Sequence, residues 1–328
     1  MQENKFHPSA FRLHLSFLEA AMSPKLKGIL YTFASAAFLS VTFIASKQAL
    51  KDLPSLGFTP IWFAIASTWG FGYYTLQNDK ISWRRLKPAL PGLIALGLSS
   101  SMANFFFFTG VKLGDPTVVA FFSRSETIFS LLLGVFLLKE KLTPWQWLGA
   151  AIAVTGAGIM TYKGGAIIWT VLALTVTANF FNAFTSYIAK RNVANVPPVV
   201  LGIARTVVLM LTLGTISFVT GNLTIPSLRA FAWIVGGSFF GPFLSFVLFY
   251  KGLKTMDIGQ AAIIRATQPL FVAGYSLLLF GTTISGLQFT GGLIILTGVV
   301  LMLSGRANEG FSMSNPLLAY FKRKRKNQ

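Results

Sequence analysis

The sequence predicts an all-α membrane protein with ten transmembrane helices, arranged as two inverted five-helix repeats. Three observations carry that expectation. First, 53% of the 328 residues are hydrophobic and only 11% are charged, a balance that belongs to a polytopic membrane chain rather than a soluble domain. Second, a shift of 142 positions lays Gly110-Val111-Lys112-Leu113-Gly114-Asp115 on Gly252-Leu253-Lys254-Thr255-Met256-Asp257 without a gap. The correspondence continues through Phe129 with Phe271, Gln146 with Gln288, Gly149 with Gly291 and Thr155-Gly156 with Thr297-Gly298. Upstream, a shift of 143 pairs Lys47 with Lys190 and Pro54 with Pro197. Such internal periodicity is the mark of a repeated architecture. Third, each copy contains five apolar runs long enough to cross a bilayer at about 20 residues per crossing. Five is odd, so successive copies cross in opposite senses.

In chain order, residues 1–27 are a basic tail without the apolar core and small-residue cleavage site of a signal peptide. Met22-Ser23-Pro24-Lys25-Leu26-Lys27 has the form of a normal start, which leaves residues 1–21 open to reading as an upstream extension. Spans are expected at 28–49, 59–76, 89–111, 116–138 and 144–162, forming a first repeat over 28–162. A second repeat over 163–305 has spans at 165–189, 198–221, 230–250, 258–280 and 284–304, and 306–328 is a polybasic tail.

The net charge of +19 would suit a nucleic-acid partner, but its distribution argues for topology instead. Alternating ten spans from an internal N-terminus puts 20 of the 28 Lys and Arg residues on one side and five on the other: Lys47, Lys51, Lys112, Lys163 and Arg229. Positive loops stay inside, so both termini are expected in the cytoplasm, with the chain in the plasma (inner) membrane and the basic C-terminus near anionic lipid. The chain has no cysteine, and its two histidines, His7 and His14, lie in the N-terminal tail. Disulfides, thiolate metal sites and histidine acid–base chemistry in the membrane are therefore excluded, and no cofactor is expected.

The remaining ionisable groups inside spans are few. Phe121-Phe122-Ser123-Arg124-Ser125-Glu126-Thr127 places Glu126, alone among nine acidic residues, deep in an apolar run. A group there faces a partner or a cavity, as a structural ion pair or as a binder of cationic substrate or a coupling proton. On a continuous helix Ser123 shares its face while Arg124 points away. The 142 shift carries Ser123 and Glu126 to Arg265 and Gln268, which a pseudo-twofold turns toward the same axis. Arg205 either anchors its helix to a neighbour or lipid phosphate or serves the site. Asn104, Asn179 and Asn182 are either interhelical hydrogen-bonding groups or site lining. The glycines Gly149, Gly156, Gly291 and Gly298 read as close helix packing. Phe105 to Phe108 read as lipid-facing bulk, or as a stacking surface.

The stretch from Ser125-Glu126-Thr127 through Lys139-Glu140-Lys141-Leu142-Thr143-Pro144-Trp145-Gln146-Trp147-Leu148-Gly149 resembles the signature of the drug/metabolite transporter superfamily, specifically its EamA-type ten-helix members. The likeness extends from about Lys27 to Gly305. Departures are Gly281-Thr282-Thr283 opposite Lys139-Glu140-Lys141, Thr127 opposite Pro269, and Trp62 opposite Arg205. The resemblance implies a secondary carrier that exports or exchanges small organic metabolites such as amino acids. Three arginines against one glutamate keep an exchanger of phosphorylated anions open. A channel is the alternative from another class, but no filter pattern is evident. No phosphate-cradling loop for ATP and no carboxylate cluster for Mg²⁺ is present. The expected substrate-binding set is Glu126, Arg265, Gln268, Ser123, Asn104, Asn179, Asn182 and Arg205.

Overall fold

Among the residues that the computed structural model describes, 22–77, 80–114, 116–123, 125–139, 142–161, 169–281 and 286–307, every regular element is helical. Helix α1 spans Pro24–Ala49, α2 Ser55–Thr75, and a short α3, Trp83–Leu86, leads through a 3-10 turn into α4, Leu90–Leu113. Then come α5 (Pro116–Phe122), α6 (Ser125–Leu138), α7 (Pro144–Thr161), α8 (Trp169–Asn192) and α9 (Pro198–Val219). Helices α10 (Leu228–Ser238) and α11 (Phe246–Leu253) are joined by a π-helical segment, Phe239–Ser245. The chain continues as α12 (Ile258–Arg265), α13 (Gln268–Phe280) and α14 (Gly286–Ala307). Among the described residues, five stretches are long and apolar enough to cross a membrane: Pro24–Ala49, Trp83–Leu113, Pro198–Val219, Leu228–Leu253 and Ile258–Leu279. The protein is an all-α, multi-span membrane protein.

Local chemistry explains where the helices begin. Ser23 accepts the Leu26 N–H at 3.2 Å while Pro24, which has no N–H to lose, occupies the first turn. Helix α1 therefore starts before the first apolar residue of the run. At α7, Thr143 and Gln146 form a reciprocal box, each side chain accepting the other's backbone N–H at 3.2 and 2.9 Å. Ser227 caps α10 by accepting the Ala230 N–H.

Two of the expected continuous spans are interrupted and a third changes its helical pitch. The run 116–138 breaks between α5 and α6, and 258–280 breaks between α12 and α13, at positions related by the 142 shift. In the second case Pro269, in the first turn of α13, lacks the N–H that a continuous helix needs. In 230–250, Pro242 lies inside the π segment for the same reason. The tails at 1–21 and 308–328, Asp79, Glu140, Lys141, the junction 162–168 and Arg124 lie outside the described residues.

Interhelical contacts recur reciprocally. A Cβ on Gly156 would meet the Ile295 nitrogen at 2.7 Å and the Gly291 oxygen at 2.8 Å; one on Gly298 would meet the Ala153 nitrogen and Gly149 oxygen, both at 2.6 Å. Helices α7 and α14 thus touch backbone to backbone, and the four glycines are packing residues, as their spacing suggests. Gly252 is overlaid by the Thr32 hydroxyl, and Gly110 by that of Thr175. Lys47 Nζ donates to the carbonyls of Val111, Lys112 and Gly114 at 2.8–3.2 Å, closing the C-terminus of α4. Its counterpart Lys190 donates to Leu253 and Met256 at 3.0 and 2.6 Å, closing α11. A cation at a helix C-terminus satisfies orphan carbonyls and opposes the helix dipole. Phe136 and Leu278, also 142 apart, are 73% and 81% exposed and present apolar surface to lipid.

The glycine contacts give a measurable expectation. Gly298→Val must push the α7 and α14 backbones apart and is expected to destabilise the protein by about 1–3 kcal/mol, read from thermal unfolding in detergent. Gly274→Ala meets nothing within 4 Å and should be neutral or stabilising by up to about 1 kcal/mol.

Candidate functional site

The two helix breaks bring opposite charges together. Glu126 lies in the first turn of α6 and Arg265 in the last turn of α12. Each charge therefore occupies the helix end whose dipole favours it, an effect of about 0.3–2 kcal/mol per group depending on burial. Arg265 Nη1 donates to Glu126 Oε1 at 3.2 Å, and the two side chains are 8% and 18% exposed. The Arg265 guanidinium also lies 4.5 Å from the Phe249 ring centroid. The break itself is held by hydrogen bonds: Asn179 Nδ2 donates to the Phe122 carbonyl at 2.9 Å, and Ser40 Oγ to the Gln268 carbonyl at 3.1 Å. The first of these takes up a carbonyl at the C-terminus of α5, where a helix leaves its last carbonyls without an intrahelical donor; the second ties α1 to the first turn of α13.

Arg205 is differently placed. It is 2% exposed, its Nε donates to Ser100 Oγ at 2.9 Å, and its guanidinium carbon is 3.6 Å from the Phe246 ring centroid and 5.7 Å from that of Phe63. The face contact with Phe246 is a cation–π arrangement, favourable in a desolvated site. Phe246 reaches this position directly after the π segment, whose extra residue per turn re-aims the following helix. Burial of Arg205 among α4 and α11 side chains rules out a lipid phosphate as its partner in this conformation.

All eight sequence-derived candidates, Glu126, Arg265, Gln268, Ser123, Asn104, Asn179, Asn182 and Arg205, line one cavity. The cavity volume is about 50 Å³, room for roughly three to five waters. Ser123 and Asn104 also bond within their own helices, to the carbonyls of Val119 and Ser100, both at 2.8 Å. Ser123 and Glu126 do not share one helix, as a continuous span would require, because the break falls between them.

Aromatic walls complete the cavity: Trp62, Phe63, Phe107, Phe108 and Phe246 all line it. The reading of Phe105 to Phe108 as lipid-facing bulk is corrected for Phe107 and Phe108, since Phe108 is 1% exposed and packs edge-on to Phe58. Trp62, Thr42, Pro242 and Phe246 were missed as site residues. The signal for Trp62 was its position opposite Arg205 in the repeat, and for Phe246 the proline four residues before it. Among the described residues no group of three His, Cys, Asp or Glu could hold a metal ion.

The sequence profile of the EamA-like transporter family matches this chain twice, over residues 26–162 and 168–304. A Salmonella typhimurium protein named "Probable amino-acid metabolite efflux pump" is 23% identical over 67% of this chain and 79% of its own length. An Escherichia coli protein of the same name is 23% identical over 81% of this chain and 91% of its own. An "Uncharacterized transporter" of Methanothermobacter thermautotrophicus is 25% identical over 64% of this chain and 63% of its own. A solved crystal structure shares the fold with a TM-score of 0.69 at 18% identity, covering 84% of this chain and 98% of that one.

The ion pair generates a coupling test. Glu126→Gln and Arg265→Gln should each lower stability by about 3 kcal/mol, the lower end of the range for breaking a buried pair because Glu126 keeps some solvent contact. The double variant should recover most of that loss in a thermal-unfolding double-mutant cycle. Additive losses would show that the two charges do not support one another.

Proposed function

The chain belongs to the EamA-like transporter family, and from that premise we propose that it is a secondary carrier of a small amino-acid-like metabolite, working by alternating access between two inverted five-helix copies. Family membership makes it a transporter rather than an enzyme. The reading of ten spans, with copies over 28–162 and 163–305, is supported by the double profile match and by the reciprocal contacts at shifts of 142 and 143. In carriers built this way the site lies at the midplane between copies, where interrupted helices offer their ends to the substrate.

The single observation that carries the function is the cavity in which a carboxylate and two guanidiniums meet an aromatic wall at two helix breaks. A substrate ammonium, or a proton, would compete with Arg265 for Glu126. Since a ligand shifts a conformational equilibrium only by its differential affinity for the two states, that exchange of partners is a means to couple binding to rocking of the halves. Amino-acid export is the activity in the names of two relatives, and it is the direction and substrate class proposed here. A second reading, exchange of phosphorylated anions, is favoured by the excess of arginine over glutamate in the cavity. It accords with a 28% identical stretch shared with the "Phosphoenolpyruvate/phosphate translocator 1, chloroplastic" of Arabidopsis thaliana.

Purified protein in liposomes, without ATP, should exchange a labelled amino acid against an internal pool of the same compound. If proton-coupled, Glu126→Gln should lose its response to a pH gradient. Strict ATP dependence, or movement of phosphorylated anions alone, would contradict the proposal. Orientation in the plasma membrane, with both termini cytoplasmic, predicts that a cysteine at Asn222 reacts with an impermeant maleimide on intact cells. One at Lys80 should react only after permeabilisation; the absence of native cysteine makes the readout clean.

A further inference from the structure

A groove of about 440 Å³ runs between α2, α4 and α9, against about 50 Å³ for the central cavity. Phe71 and Ile94, on its two walls, are each 50% exposed, so it opens outward. Its origin is local. A Cβ on Gly70 of α2 would meet Ile203 Cγ1 at 2.8 Å, and one on Gly97 of α4 would overlap the Val208 side chain. Both helices therefore seat deeply on α9, and they touch one another much less. The space left between them has α9 as its floor, where Val200, Ile203 and Val207 recur at the spacing of one helical face.

The segment 80–87 covers one end of this groove. The Ile81 N–H donates to Tyr74 Oη at 3.1 Å, which fastens the segment to the last turn of α2, and Trp83 and Leu86 of α3 join the lining. Every lining side chain is apolar or aromatic, and the one hydroxyl among them is that of Tyr74. The same segment carries Lys80, Arg84, Arg85 and Lys87 and no acidic residue. All four cations are exposed, and none has an ion-pair partner among the described residues. Trp83 is 64% exposed beside them, and a tryptophan so placed in a membrane protein marks the boundary between hydrocarbon and water. Along the floor, residues 200–208 rise about 12 Å at roughly 1.5 Å per residue. That is most of one leaflet, half of a hydrocarbon core about 30 Å thick.

We propose that this groove is a binding site for an anionic phospholipid, with one acyl chain along α9 and the phosphate held by the basic side chains of 80–87. Guanidiniums suit a phosphate because they offer paired N–H donors, and juxtamembrane cations attract anionic lipid. A zwitterionic lipid would bring an ammonium up to four cations. A free phosphate would leave the apolar groove empty. The inference rests on the chain being a membrane protein and is independent of the solute it carries. Since α2 and α4 lie in the first profile match and α9 in the second, the lipid touches both halves of the molecule.

The test uses the full-length protein purified in detergent and three probes: dioleoylphosphatidylglycerol, dioleoylphosphatidylcholine and glycerol 3-phosphate. Bound lipid is counted by native mass spectrometry, and apparent affinity is read from thermal shift. The anionic lipid should bind about fivefold or more tighter than the zwitterionic one, the effect of a single cation near anionic lipid. Glycerol 3-phosphate should not displace it. A triple variant, Arg84→Gln, Arg85→Gln and Lys87→Gln, alters exposed positions only, so it should keep the lipid-free melting temperature and lose the preference. Ala204→Phe, which fills the floor of the groove, should lose the bound lipid. Replacing the five basic residues 322–326 of the C-terminal tail by Gln should leave the preference intact. Equal binding of the two lipids, displacement by glycerol 3-phosphate, or an unchanged preference in the triple variant would overturn the site. So would loss of the preference in the tail variant, which would put the anionic lipid on the tail instead. A dimer that retains no lipid and that Ala204→Phe dissociates would give the groove to a second copy of the chain, and would overturn it as well.

Discussion

A charge in the hydrocarbon region is tolerable only where something other than water solvates it, and the cost of failing is several kcal/mol. Glu126 and Arg265 meet that requirement through one another, through the helix ends on which they sit, and through the ring of Phe249. This explains why two otherwise apolar helical runs are interrupted at matching positions. An unbroken helix would bury both charges against satisfied backbone, whereas a broken one supplies a dipole end to each. The Phe122 carbonyl at the end of α5 then needs a donor, which Asn179 provides, and Ser40 ties α1 to the start of α13.

Positions related by the internal shift have kept their geometry and changed their chemistry. Ser123 stands opposite Arg265, Glu126 opposite Gln268, Trp62 opposite Arg205 and Asn104 opposite Phe246. The packing positions have changed least: the glycines of α7 and α14 and the lysines that close α4 and α11 make the same contacts in both halves. Packing tolerates little at a backbone-to-backbone contact, because a single Cβ there forces the helices apart. A cavity has no such constraint, and its two halves are free to become unlike. The outcome is a pocket with a carboxylate–guanidinium pair at the breaks and a second guanidinium, that of Arg205, against the Phe246 ring.

Much of this was legible in the sequence because it rests on rules that act locally or repeat. Apolar runs and the 142-residue shift foretell a helical multi-span membrane protein, and the glycines read as close helix packing, though not which helices they would join. All eight candidate polar residues reach one cavity, since a polar group in an apolar helix has few places to go. What was not legible depended on backbone irregularity and on shape. The break after Phe122 carries no proline; Thr127 stands where Pro269 marks the second break, and a run of apolar residues reads as continuous. The run 230–250 reads as a continuous span although it contains Pro242, and nothing in it announces the π segment that swings Phe246 over Arg205. Trp62, Phe107 and Phe108 were ambiguous because an aromatic residue is equally at home against lipid or inside a bundle.

The central claim is that this cavity is the transport path, opened in turn to each side of the membrane. A single cysteine at Ser123, in a chain that has none of its own, reports on it directly when an impermeant thiol reagent is added from one side or the other in oriented vesicles. The account predicts modification from both sides, with an imposed amino-acid gradient that raises the rate from one side lowering it from the other. Modification from one side only, unaffected by the gradient, would contradict alternating access at this site.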